Sequence, residues 1–521
     1  MDTNHRSASM AWIESICILY LCSNSSQSPL VSPLLISLAL SSILAQYFYI
    51  PKKTLPFPRL GSGPGLVIGL TTLPILTACQ LHIGLEHSPL LFHLSIVNAV
   101  LSLVQYAFPH DDRSVSSLLG AIFSLAIGGH IGDIIRVTIV LRFQLYYMHI
   151  LAHRLPHCFT FGEAHIISTL ISFFVCNGLF HLFSTVFFFL PFFVKVHPII
   201  ALNDSLLTIA QYAILATAMI VWAEAHLLSD RVVGAKNVED LDERVSSEFL
   251  ARIVLIVLFV HFCVMIMVDH EPISFMLLYL IRSPVRIMLC VFWAMCLMLS
   301  LVSFKRLEAS CQLRTIVARK LYHLLISAIV IPGVVIDPIF TALALLAMLM
   351  IFTIFEVVRV SKMFTISHVL ESYMREYIDC KSEAILVGRD SGSVILSHIY
   401  LLLGCSFPLF MHLPSISTPL FVLLSLAGVI ALGIADAVAS IIGVCFGSVY
   451  WPGSNKTLQG SLAAFVATSI ASYAFIGDQP VLFRQLLCPA IISTLLEASM
   501  DQIDNLFLPL LYYASLVVAV R

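Results

Sequence analysis

Residues 433–460 read GIADAVASIIGVCFGSVYWPGSNKTLQG, and the order of residue types along this stretch sets the architecture. An apolar run with one acid in it, Asp436, ends at Tyr450-Trp451, passes through a Pro-Gly turn and a short polar loop, and gives way to a second apolar run near Gly460. Aromatic residues gather where a helix leaves a bilayer, and Pro-Gly marks the turn that follows. The stretch holds five glycines and only two full charges, Asp436 and Lys456. A span that only crossed lipid has no use for them, since one charge in hydrocarbon costs about 3 kcal/mol or more. The pattern is a helix, loop and helix at a membrane surface with a polar site built in.

The rest of the chain supports that setting. Of its 521 residues 59% are hydrophobic and 11% charged, about half the charged share of a soluble protein, and apolar runs recur along nearly the whole length. This predicts an all-α polytopic transmembrane helical bundle with roughly 12 to 17 spans. A β-barrel is disfavoured because the apolar runs do not alternate. The net charge of −2 gives no sign of a nucleic-acid partner. Thirteen cysteines without a C-x-x-C pair read as small buried hydrophobes. The expected organisation is an N-terminal bundle over 1–230, a polar loop over 231–252, a connecting membrane region over 253–318 and a catalytic membrane domain over 319–521. Between 305 and 320, Lys305, Arg306, Arg314, Arg319 and Lys320 face only Glu308, which places that connection in the cytoplasm by the positive-inside tendency. The polar stretch 361–379 has the make-up of an interfacial helix.

Small residues recur every fourth position at Ala435, Ala439, Gly443 and Gly447, a stripe that lets another helix approach. Packing leaves Asp436 and Ser440, one turn apart, unexplained. The loop that follows offers backbone donors, a cation and a hydroxyl, which together suit a phosphate: successive N–H groups can form an anion nest, and Lys456 can act as a point charge on a phosphoryl oxygen. The helix beginning near Gly460 adds its positive end. Candidate phosphate contacts are therefore Gly433, Ser440, Gly443, Gly447, Gly453, Ser454, Asn455, Lys456, Thr457 and Gly460. Arg319-Lys320 can grip phosphate or anchor a span, and Arg389 belongs to an active-site loop or an ion-paired connection. Gly453-Ser454-Asn455-Lys456 does not fit a Walker A loop. Glu497, Asp501 and Asp504 fall on one stripe if the chain there is helical, and like charges so placed call for a cation or for water. Asp436, Asp501 and Asp504 are the candidate ligands of a divalent cation.

The run Asp436-Ala437-Val438-Ala439-Ser440 with Gly443 and Gly447, then Trp451-Pro452-Gly453, Lys456-Thr457 and Gly460, resembles the CTP-binding segment of the dolichol kinase family. Arg319-Lys320 with His323, Asp390-Ser391-Gly392 with the run from His398 to Gly404, and Gln502-Ile503-Asp504-Asn505-Leu506 are also similar to stretches of that family. The resemblance covers residues 319–511, with the N-terminal half matching only as membrane spans. It implies an enzyme of the endoplasmic reticulum membrane, nucleotide site toward the cytoplasm, that moves the γ-phosphoryl group of CTP to the hydroxyl of dolichol with the help of Mg²⁺. Asp436 and Lys456 are then the catalytic pair. Gln459 departs from the K-T-x-E-G pattern of related CTP-dependent lipid kinases, and an amide neither neutralises a metal nor takes a proton well. Kinases of phytol or diacylglycerol are the nearest enzyme alternatives. A secondary transporter with Asp436, Glu497 and His398 on its path is the alternative of another class.

Overall fold

The computed structural model describes residues 8–26, 28–48, 63–83, 88–107, 131–155, 157–186, 205–234, 239–268, 271–311, 315–362, 366–376, 394–412, 418–476, 480–500 and 502–520. Regular structure there is helical. The first half comprises α1 (Ala8–Asn24), α2 (Val31–Phe48), α3 (Leu66–Ile83), α4 (Ser88–Ala107), α5 (Ile131–Arg154), α6 (Phe161–Val186), α7 (Ser205–Gly234) and α8 (Glu239–Met267). Then follow α9 (Pro272–Ile281), α10 (Pro284–Cys311), α11 (Thr315–Ile336), α12 (Pro338–Val360) and α13 (Ile366–Glu376). The C-terminal part holds α14 (Ser397–His412), α15 (Pro419–Ser425), a π-helix (Val429–Asp436), α16 (Ala437–Phe446), α17 (Leu458–Ile476), α18 (Pro480–Ser499) and α19 (Asp504–Ala519). Among the described residues seven helices are long and apolar enough to cross a membrane, and seven further apolar helices are shorter. This is the polytopic helical bundle expected from unbroken apolar runs.

One expectation is corrected. Instead of a polar loop over 231–252, α7 runs on to Gly234 and α8 begins at Glu239. Glu, Leu and Arg are good helix formers, and Glu248 meets Arg252 one turn on at 3.8 Å, so charge in this stretch is carried on helix rather than ending it.

Within 361–379 the chain forms the helix α13. Its outer face shows Ile366 and Val369 to the surroundings. Its inner face is pinned through Arg359 at the end of α12, whose guanidinium takes both oxygens of Glu356 (2.8 and 2.6 Å) and also binds Glu371 of α13. At the other end of α12, Asp337 accepts the Phe340 N–H at 2.9 Å, Pro338 fills the first helical position, and Arg286 of α10 donates to the second Asp337 oxygen at 2.8 Å. The hairpin of α11 and α12 is thus fixed against α10 by a cap that also serves as an ion pair.

α19 lies at the centre, buried from Asp504 to Val517. A helix that is apolar all round requires neighbours on every side, and it finds α3, α14, α18 and the π-helix. Helices of the two halves meet here directly. Gln80 of α3 donates to the Tyr513 hydroxyl at 2.9 Å, which lies 2.8 Å from His412 Nε2 of α14. Glu163 at the start of α6 accepts the Thr160 N–H at 3.2 Å and, with its other oxygen, the Ile503 N–H at 3.4 Å, just before Asp504. Gly69 lets α3 close on Gly162, where a Cβ has no room.

Candidate active site

Two lysine–carboxylate clusters stand at the ends of the helices that surround α19. The first is built on α11, whose opening turns carry Arg319, Lys320 and His323. Residues three apart share a helix face, so Lys320 and His323 look the same way, onto the π-helix, and both are buried. The π-helix is eight residues long and ends on Asp436. Such segments are rare and recur at functional sites. Lys320 Nζ donates to Asp436 Oδ2, and His323 Nδ1 lies 3.4 Å from the same oxygen and 3.2 Å from the Leu432 carbonyl oxygen. Both neighbours of Nδ1 only accept, so Nδ1 carries the hydrogen, and in the neutral ring Nε2 keeps its lone pair. Gly433 is what allows this closeness: a Cβ there would collide with Ser327 Oγ of α11.

The second cluster is set by the loop between α16 and α17. Lys456 Nζ lies 2.6 Å from Glu497 Oε1 and 3.8 Å from Asp504 Oδ2, and it also donates to the Glu497 carbonyl oxygen. Glu497 and Asp504 thus share the Lys456 ammonium in this structure. Their expected single helical stripe is corrected, because α18 stops at Ser499 and α19 starts at Asp504. A carboxylate in a first turn sits well with the positive helix end, which favours a new start at Asp504 over a continued helix.

The loop itself is closed by its own groups. Tyr450 and Thr457 form an antiparallel bridge, the Trp451 N–H donates to the Lys456 carbonyl at 2.9 Å, and Gly453 takes the turn position at φ +69°. Gln459 Oε1 accepts the N–H groups of Ser448 and Val449, each at 3.2 Å, while its Nε2 donates to Ser448 Oγ at 2.6 Å. The amide thus fastens the loop with both of its ends, one accepting and one donating. Thr457 Oγ1 accepts the Gly460 N–H at 3.2 Å. Gly443, Gly447 and Gly460 pack around the Thr457 side chain, where Cβ atoms would come within 2.9, 2.5 and 3.1 Å of it. Gly453 and Asn455 are exposed, Ser454 half-buried, and Ser440 half-buried on α16. These glycines fix how α16 and α17 approach.

Asp436 and Asp504, paired in the sequence reading as metal ligands, each have a lysine of their own. Asp501 and Arg389 lie outside the described residues. Among the described residues no three His, Cys, Asp or Glu side chains gather as a metal site. His323, expected with Arg319 and Lys320 to grip phosphate or anchor a span, instead pairs with Asp436, and its three-residue spacing from Lys320 in α11 was the available signal for a shared face. The pairing of Glu497 with Lys456 crosses 41 positions and had no local signal.

A cavity of about 630 Å³ touches His323 of the first cluster and, elsewhere on its wall, Asn505, the chain neighbour of Asp504. Arg319, Ser397 and His398 also face it; its remaining walls are mostly apolar. Asn505 Nδ2 donates to the Ser397 carbonyl at 3.1 Å, which ties α19 to the start of α14.

A family model described as dolichol kinase matches residues 114–417. The match begins deep in the first half, so the likeness is not confined to residues 319–511, and it ends before the 433–460 segment. The Homo sapiens protein named dolichol kinase is 30% identical over 407 residues, 73% of this chain and 69% of that protein. The Mus musculus dolichol kinase is 29% identical over 447 residues, 80% and 76% of the two chains. The dolichol kinase of Saccharomyces cerevisiae is 30% identical over 246 residues, 46% and 44%. No solved structure matches. With more than half its length matched by the family model, and a human relative followed over more than two-thirds of that protein, this helical membrane chain belongs to the dolichol kinase family.

Proposed function

We propose that the chain transfers the γ-phosphoryl group of CTP to the terminal hydroxyl of dolichol, giving dolichyl phosphate for protein glycosylation, in the endoplasmic reticulum membrane with its nucleotide site toward the cytoplasm. The observation that carries this reading is the Asp436 cluster: a carboxylate, an ammonium and an oriented imidazole buried beside an apolar cavity among membrane helices. The acceptor is too apolar to leave the bilayer and the donor too charged to enter it, so the reacting atoms meet at such a boundary. Cytoplasmic orientation rests on the excess of basic residues over 305–320. The catalytic unit is residues 319–521, with 433–460 against the nucleotide and 1–230 as a bundle beside it.

The donor set suits a triphosphate with a divalent cation. Lys456, Arg319 and the loop residues Gly453, Ser454, Asn455 and Thr457 hold the phosphates, joined by Arg389. When the Lys456 ammonium turns to phosphate oxygens, Glu497 and Asp504 remain as two adjacent carboxylates, hard oxygen donors whose joint charge matches Mg²⁺. The cation supplies neutralisation of charge on the phosphoryl oxygens.

The chain's own residues do the positioning on which phosphoryl transfer depends. Lys320 pairs with Asp436 and holds it in place. Asp436 and the Leu432 carbonyl fix His323 through Nδ1, so Nε2 is the lone pair presented to a hydroxyl in the cavity. The hydroxyl oxygen bonds to the γ-phosphorus, the bond from that phosphorus to the β,γ-bridging oxygen breaks, CDP leaves, and the hydroxyl proton passes to His323.

Purified protein in detergent, given γ-labelled CTP or ATP and a panel of prenols and diacylglycerol, tests the reading. Label moving from CTP to long prenols is expected. Label only in diacylglycerol, or in no lipid at all, contradicts it.

A further inference from the structure

We infer that the cavity between α10, α11, α12, α13 and α14 is the seat of the hydroxyl-bearing end of the polyisoprenoid acceptor, its first few isoprene units lying among these helices and the remaining tail running out into the bilayer. This rests on the lipid-kinase reading of the same site and names where the lipid is held.

Three observations carry it. The first is the distribution of polarity. Trp293, Phe340, Met348, Phe352 and Leu402 are typical of the walls, whereas Arg319, His323, Ser397, His398 and Asn505 supply the polar groups. A nucleotide would lose the solvation of its charges in such a space, whereas a long apolar chain with one hydroxyl matches it. His323, the residue shared by the cavity and the Asp436 cluster, marks the end where the hydroxyl belongs.

The second is volume. About 630 Å³ falls within the range of pockets for drug-sized ligands, enough for the head of an isoprenoid and too little for a lipid of many units. The tail must leave, and the walls allow it. α10 shows Met295, Met298 and Leu299 outward, and α13 lines the cavity with Leu370 and Met374 while Ile366 and Val369 face away. The seat is therefore walled by helices whose other faces are exposed and apolar.

The third is rigidity. Trp293 and Phe340 stack at 5.5 Å and 12°, and Trp293 Nε1 donates to the Ile329 carbonyl at 3.1 Å. Phe352 and His398 stack across α12 and α14 at 6.4 Å and 19°. Walls held this way keep a ready-made apolar slot open to a ligand of fixed width.

The test uses full-length protein in nanodiscs and a prenol bearing a diazirine on the isoprene next to the hydroxyl. After irradiation, adducts are expected on α11, α12 and α14, suppressed by excess unlabelled prenol and not by phospholipid. Adducts confined to outward faces such as that of α8, or suppressed by phospholipid alone, overturn the assignment. In a second arm, Ala344→Phe and Ala347→Phe, which narrow the cavity, are expected to raise the KM for prenol about tenfold or more and leave the nucleotide KM unchanged. Leu255→Phe on the exposed face of α8 is expected to change neither. Unchanged prenol KM in both filled variants overturns the assignment. If a filled variant does not fold, the adduct map on the native chain decides. Should the native protein phosphorylate no lipid, the kinase reading fails, and the same adduct map still reports whether prenol occupies the cavity.

Discussion

Asp436 is held by what surrounds it more than by its own chemistry. A buried carboxylate without a partner is costly, and removing one member of a buried ion pair destabilises by about 3–5 kcal/mol. Lys320→Met is therefore expected to lower the thermal unfolding temperature sharply in detergent, and adding Asp436→Asn to that variant is expected to restore much of the loss, since no charge is then left unpaired. Equal stability of single and double variants would contradict the pairing. Gln459 is a different case. Its oxygen serves two N–H groups that a Glu also satisfies, and the Ser448 hydroxyl can turn to donate, so Gln459→Glu is expected to keep the loop intact. Gln459→Leu leaves those N–H groups to water and is expected to cost about 1 kcal/mol, read as faster proteolysis between 448 and 457. The departure from the Glu pattern of related kinases is thus compatible with a structural clasp. Residue identity alone announced that Asp436 and Lys456 need partners, because isolated charges among apolar runs are expensive. It could not name Lys320 or Glu497 as those partners, which lie 116 and 41 positions away.

Among elements, the decisive joint is the change from π-helix to α16 at Asp436. The sequence of small residues gave the packing stripe, and the structure gives it a neighbour, with Ala435, Ala439 and Ala464 forming one apolar contact between the π-helix, α16 and α17. Nothing in residues 429–436 distinguishes a π from an α winding by composition; in the fold this segment packs against α11, α17 and α14. Gly428 packs where a Cβ would strike the Gly404 carbonyl, and Gly404 in turn has Pro509 Cγ at 2.7 Å and Leu432 Cδ1 at 2.9 Å from its own ideal Cβ. Gly428→Leu is expected to destabilise the protein by about 1–3 kcal/mol or more through overpacking and to lower activity by shifting Asp436 from Lys320. A variant with native stability and native turnover would show that the joint tolerates displacement. The break between α18 and α19 belongs to the same scale. Carboxylates spaced for one helix were read as one helix, and a restart at Asp504 needed the tertiary pull of Lys456 and Glu163.

At the level of the whole molecule, the apolar composition made the membrane bundle legible, while the way its halves join was not. The link from Glu163 to Ile503 runs across 340 positions and holds the turn before Asp504 from outside the C-terminal region. Glu163→Gln keeps one accepting oxygen and is expected to reduce turnover severalfold with little change in nucleotide KM; Glu163→Ala is expected to cost stability as well, by about 1–3 kcal/mol for the unpaired N–H groups. Native turnover in both would separate the first half from the site. Topology follows from charge: a single cysteine placed at Asn455 in a cysteine-free background is expected to react with an impermeant reagent from the cytoplasmic side of sealed microsomes. Reaction only after the lumen is opened would remove the loop from cytosolic nucleotide. The central claim, that the Asp436 cluster transfers phosphate to a lipid, is tested most directly by the rate at which purified Asp436→Asn protein, matched to wild type in folded amount, moves label from γ-labelled CTP to dolichol. A fall of about a thousandfold or more with the fold retained is predicted; turnover near that of the wild type would contradict the account.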